Sequence, residues 1–186
     1  MGPVIGIVAG AVVLLLIVWF IASYNRFVKL KNAIEEAFST MDVYLKKRYD
    51  LIPNLVETVK GYAAHEKDTL ERVIAARNAA VSAKTVEDKV VSENALSGML
   101  RSLFALAEAY PDLKANTNFM QLQGELQRME DEIANSRKYY NAVVKEYNTR
   151  RESFPSNIVA GMFHFQKKPL FEVASDVERE NVKVQF

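Results

Sequence analysis

The chain has 186 residues, 24 Lys+Arg against 23 Asp+Glu for a formal net charge of +1, no cysteine and two histidines. This balance leaves no field to gather nucleic acid or an acidic substrate. The missing cysteines exclude disulfides, thiolate zinc sites, iron–sulfur ligation and a Cys nucleophile, while seven Gly, five Pro and 49% hydrophobic residues favour long helices over many short strands.

Residues 3–22 carry no charge, and 20 residues at ~1.5 Å each span ~30 Å, one hydrocarbon core. A transmembrane anchor over 1–23 is therefore expected. A cleaved signal peptide fits less well, because no Lys or Arg precedes the apolar run and no A-x-A site follows it. Trp19 and Tyr24 fall where amphipathic rings favour the headgroup boundary, and Arg26, Lys29 and Lys31 come directly after the span. The positive-inside bias then puts the N-terminus outside and the C-terminal domain in the cytoplasm. Gly2, Gly6 and Gly10 repeat G-x-x-x-G, the spacing that lets a second helix backbone approach. Gly2 lies too near the surface to add much, which leaves Gly6 and Gly10 as the span-packing pair.

The rest, 24–155, reads as an antiparallel four-helix bundle with helices at about 24–49, 51–82, 86–110 and 116–153. In the first, Phe27, Leu30, Ile34, Ala37, Phe38, Met41 and Leu45 recur three or four apart, and no breaker separates it from the span. Asp50 and Pro53 then suggest a cap and first turn, with a proline kink as the alternative; the turn is preferred because it closes a bundle. Ile52, Leu55, Val59, Tyr62, Leu70, Val73 and Ala80 form the second stripe. Thr85 and Asp88 have capping-box spacing. Leu96, Met99, Leu103, Leu106 and Tyr110 follow. Phe119, Leu122, Leu126, Met129, Ile133, Ser136, Tyr140, Val143 and Tyr147 keep a heptad step over four heptads. This seam is read as bundle core rather than an intermolecular coiled coil, because three other stripes need a partner. The tail, 156–186, is less regular: a short apolar stretch, a Lys167-Lys168-Pro169 break, an acidic stretch, and alternating Val182, Val184 and Phe186. It is read as packed on the bundle, with a partner-binding or membrane-touching arm through Phe163, Phe165, Phe171 and Phe186 as the alternative.

A search for chemistry finds little. His65-Glu66 would begin H-E-x-x-H, but position 69 is Thr, so two imidazoles cannot face one metal. No phosphate-cradling glycine loop is present. The acids Glu35, Glu36, Glu125, Glu130, Asp131 and Glu132 lack a His three residues on, as a di-iron bundle needs, and most of them lie beside the apolar stripe and read as a solvated face. Lys46-Lys47-Arg48 lacks interleaved aromatics and is a poor nucleic-acid footprint. No catalytic residue, metal, cofactor or small-molecule substrate is assigned, and an enzyme is not expected. Polar residues at helix ends, among them Asp50, Asn54, His65, Asp112 and Asn116, are either turn chemistry or a recognition surface.

The runs RYDLIPNLVETVKGYAAHE (48–66) and AEAYPDLKANTNF (107–119), with Tyr24-Asn25, Leu30-Lys31-Asn32, Tyr140-Asn141, Tyr147-Asn148 and Phe154-Pro155, resemble the LemA family over nearly the whole chain. The resemblance implies a bacterial inner-membrane protein with one N-terminal span and an antiparallel four-helix domain. The family has no established enzymatic activity, and it includes a magnetosome-membrane protein. Two departures stand out: Phe38 where the family often has Trp, and His164 where Gly is expected between Phe163 and Phe165, which makes a tight turn there doubtful. The expected function is a membrane-anchored structural protein, partnered by the lipid bilayer and by copies of itself, that organises or remodels the membrane. The alternative is an adaptor or regulator of another membrane protein, such as a protease.

Overall fold

The computed structural model describes residues 1–172, so Val182, Val184 and Phe186 lie outside the described residues. Among the described residues the fold is all-helical: α1 (Gly2–Lys60), α2 (Lys67–Ser82), α3 (Val86–Ala107), α4 (Pro111–Lys114), α5 (Thr117–Glu152) and α6 (Ser156–Met162). The described residues divide into two compact units, one built from Met1–Thr40 and Lys138–Leu170 and the other from 41–137 with Phe171 and Glu172. The division falls within α1 and α5.

The turn expected at 50–53 is absent. α1 runs through Pro53 to Lys60, and the break comes at 61–66, so the expected helices 24–49 and 51–82 are replaced by Gly2–Lys60 and Lys67–Ser82. A proline inside a helix leaves the carbonyl four residues earlier without its donor. Here that carbonyl is Tyr49, and Arg77 of α2 donates its Nε–H to it at 3.2 Å. A side chain from the next helix thus replaces the lost backbone bond, and the apolar stripe continues past the proline through buried Ile52, Leu55 and Val59. Arg77→Met should cost about 1.5–3 kcal/mol, as loss of a hydrogen bond from a charged donor does. The same change in a Pro53→Ala background, where the backbone bond is restored, should cost close to nothing; a thermal-melt double-mutant cycle measures the coupling.

The other boundaries follow local chemistry. Thr85 caps α3, its Oγ1 accepting from the Asp88 amide at 3.0 Å. α3 stops at Ala107 rather than 110, and Pro111 opens the short α4, where its missing N–H costs nothing. Asn116 Oδ1 accepts from the Phe119 amide at 2.9 Å at the start of α5. Buried Leu126, Met129, Ile133, Tyr140 and Tyr147 follow the expected seam, but Val144 rather than Val143 is its fully buried valine.

In the unit that includes the N-terminus, residues 163–170 fold back along α5. Phe165 accepts from Arg151 Nε at 2.9 Å, Gln166 from the Tyr147 hydroxyl at 3.0 Å, and Pro169 from the Tyr140 hydroxyl at 3.0 Å, each through its carbonyl. Asn148 donates to the Lys168 carbonyl at 2.8 Å and accepts its amide at 3.0 Å. Tyr140, Tyr147, Asn148 and Arg151 share one helix face, so side chains supply the partners a neighbouring strand would otherwise give. The doubtful turn at His164 is formed. His164 has φ 52°, the left-handed conformation normally left to glycine, and the Phe165 amide closes back on the Ala160 carbonyl at 3.0 Å. Phe38, in the position where Trp was expected, packs against Tyr140 with ring centroids 5.9 Å apart.

Candidate functional site

The apolar span is the first feature. Its 18-residue window has a mean hydropathy of 3.1 and no residue buried by the protein. Leu14, Leu15 and Ile17 are 62%, 66% and 54% exposed, whereas the core helix of a water-soluble fold would be covered. A Cβ added at Gly6 or Gly10 would meet nothing within 4 Å, so both glycines present open backbone.

Where the span ends, aromatic rings gather. Phe163 lies 4.5 Å from Tyr24 and 5.9 Å from Phe20 by ring centroid. Phe165 stacks on Phe27 at 4.8 Å, and Tyr147 meets Phe27 edge-on at 5.9 Å. Burial pushes the Tyr147 hydroxyl above its ordinary range, with Arg151 opposing. Trp19 stands at the edge of the exposed span, Arg26 pairs with Glu146 of α5, and Lys31 reaches Glu35 at 4.0 Å. Lys29 is exposed. The expected interface residues therefore occupy one stretch of α1, and Tyr24 and Arg26 also hold the folded-back chain and α5.

A charged cluster that sequence reasoning missed lies in the other unit. Arg48 is 1% exposed. Its guanidinium pairs with buried Glu93 and with Glu130 Oε2 at 2.5 Å, and it also bonds Ser97 Oγ at 3.2 Å. The Tyr49 hydroxyl donates to Glu93 as well. One planar fork thus ties α1 to α3 and α5. Burial holds the Glu93 carboxyl above its usual range, and Arg48, the Tyr49 hydroxyl and Lys89 pull it part of the way back. Burial, then the charge of Glu93 and the bond to it, raise Tyr49 far above the ordinary phenol. The Lys46-Lys47-Arg48 run is consequently not one solvated face, and Glu130 is not merely a solvated acid. The signal was available. Arg48 falls on the stripe Met41, Leu45, Arg48, Ile52, and Glu93 opens the stripe Glu93, Leu96, Leu100, Leu103. Opposite charges thus sit in two apolar seams.

The polar helix ends are brought together only in part. Asn116 donates to the Tyr62 hydroxyl at 2.9 Å, and the Tyr110 hydroxyl donates to Glu66 at 3.2 Å, so the 61–66 turn meets the turn around α4. His65 and Asp112 are exposed at these turns. Asp50 and Asn54 are exposed one turn apart within α1, away from them. A groove of about 470 Å³ lies between the end of α1 and α2, lined by Val56, Leu70 and Ile74 with Lys60, Lys67 and Glu71. Among the described residues no three His, Cys, Asp or Glu side chains are grouped as a metal site would require.

The chain is 27% identical over 167 residues to Protein LemA of Metamycoplasma hominis, covering 88% of this chain and 74% of that one. It is 25% identical over 201 residues to Magnetosome protein MamQ 2 of Paramagnetospirillum magneticum (92% and 73% covered). It is 23% identical over 174 residues to Magnetosome protein MamQ of Magnetospirillum gryphiswaldense (80% and 64% covered). The profile of the LemA family matches residues 37–186. With a match over most of its length, joined to an uncovered apolar N-terminal helix on an all-helical fold, this chain belongs to the LemA family.

Proposed function

We propose that this protein is a non-enzymatic, single-pass membrane protein whose four-helix bundle stands in the cytoplasm on a span that self-associates, and that the assembly organises or remodels the bilayer. The observation that carries the reading is the span itself: an apolar helix with no protein cover, with Gly6 and Gly10 open on one side. Apolar surface of that extent requires lipid or another helix around it. Arg26, Lys29 and Lys31 favour retention of the following domain in the cytoplasm. Likeness to magnetosome proteins supports a role at a membrane. A bundle with helices ~8–10 Å apart is wider than its single span, so crowding copies on one face would bend the bilayer away from that face.

The test is particle mass in detergent or nanodisc. The wild type is expected as a closed homo-oligomer. Gly6→Leu/Gly10→Leu is expected to lose at least half its mass while helical content by circular dichroism stays unchanged, because neither glycine lies in the folded domain. A double mutant that assembles like the wild type removes the glycine face from the mechanism, and a wild type that stays monomeric at all accessible concentrations defeats self-association.

A further inference from the structure

The helix α6 carries apolar residues on two faces. Val159 and Ala160 are buried at 0% and 3% exposure, yet Ile158 and Met162, one turn apart on another face, are 51% and 61% exposed. Phe163, directly after the helix, is 45% exposed, and Phe154, directly before α6 and its preceding proline, is 81% exposed. A helix that is apolar on both faces has a core on one side and calls for an apolar medium on the other. The medium is indicated by what Phe163 touches: its ring packs on Phe20, in the last turn of the apolar span, and on Tyr24 just beyond it. The Phe163 end of α6 therefore sits at the height where α1 leaves the hydrocarbon. Lys167 follows shortly after, 67% exposed in its side chain and paired with Glu152 at 3.6 Å.

We infer that α6 with Phe154 and Phe163 is a second membrane contact, a short wedge dipping into the headgroup–acyl boundary of the leaflet from which α1 emerges. The inference rests on the anchored reading above, and it names the lipid surface as the occupant of this exposed face. With contacts at both α1 and α6, the protein holds the bilayer at two points, so its tilt is set and lipid is displaced on one side of the span.

Depth-dependent quenching tests it. The chain has no cysteine, so a single introduced thiol is labelled cleanly. Leu14→Cys, Ile158→Cys, Met162→Cys and Ser39→Cys in the full-length protein would each carry an environment-sensitive dye. They are reconstituted in phosphatidylcholine/phosphatidylglycerol vesicles containing lipids spin-labelled high or low on the acyl chain. All four positions are exposed, and circular dichroism checks that helical content is kept. Ser39 lies 19 residues beyond Phe20 on α1, about 28 Å further along the helix. Leu14 should be quenched by the deep label. Ile158 and Met162 should be quenched by the shallow label at least threefold more than Ser39. If Leu14 is quenched but both α6 positions behave as Ser39 does, the wedge is overturned and the anchor stands. If Leu14 escapes quenching, the anchored reading itself is overturned, and the wedge with it.

Discussion

Arg48→Met should cost the fold about 3–5 kcal/mol, as removing one partner of a buried ion pair does. That is a fall of roughly 10 °C in the melting temperature of the detergent-solubilised protein. The cost comes from what remains. Glu93 is buried, and without the guanidinium the partners left to its charge among the described residues are the Tyr49 hydroxyl and the charge of Lys89. Its carboxyl, already raised by burial, then rises further. A carboxyl raised in the folded state contributes stability that is full below its unfolded value and is lost as pH rises through the folded one. The deficit of Arg48→Met should therefore be small below the ordinary carboxyl value of 4.5 and grow toward neutral pH. Arg48→Met/Glu93→Leu should regain most of the loss, because no charge is then left buried. Equal melting losses in the single and double variants, with no pH dependence, would mean that Arg48 acts through packing alone.

Phe27→Ala should cost about 3–5 kcal/mol, the range for deleting a buried aromatic ring. Phe27 is fully buried, stacked on Phe165 and edge-on to Tyr147. Truncation removes the ring that the folded-back residues 163–170 pack against, while their hydrogen bonds to Tyr147, Asn148 and Arg151 remain. The melting temperature should fall, and trypsin should cut faster after Lys167, as expected when a packed segment opens locally. Phe163→Ala, on a half-exposed ring, should cost about 1 kcal/mol or less. Unchanged trypsin sensitivity in Phe27→Ala would show that the hydrogen bonds to α5 hold the segment without the ring stack.

Some of this molecule is written locally. The uncharged run 3–22 needs no partner to be read, since hydropathy and length are properties of the segment itself. The all-helical class follows from three- and four-residue steps in nearly every stretch and from the scarcity of glycine and proline. The Thr85 cap and the Asn116 start of α5 are contacts over three residues, so spacing alone points to them. The family resemblance rests on short runs of residues in the same way.

Other features depend on residues far apart in the chain. Asp50 and Pro53 look like a helix start, and the break moves to 61–66 because Arg77, 28 residues from Tyr49, covers the carbonyl that Pro53 strips of its donor. Arg48 looks like the end of a basic surface run, and it is buried because Glu93 lies opposite it across 45 residues of sequence. His164 looks like a poor turn residue. It takes the left-handed conformation because the folded-back chain is held at Tyr140, Tyr147, Asn148 and Arg151, contacts together worth more than the ~1–2 kcal/mol that conformation costs a residue with a Cβ. In each case a local preference of a kilocalorie or two is overruled by a partner from another helix, and a linear pattern does not show which partner will be opposite.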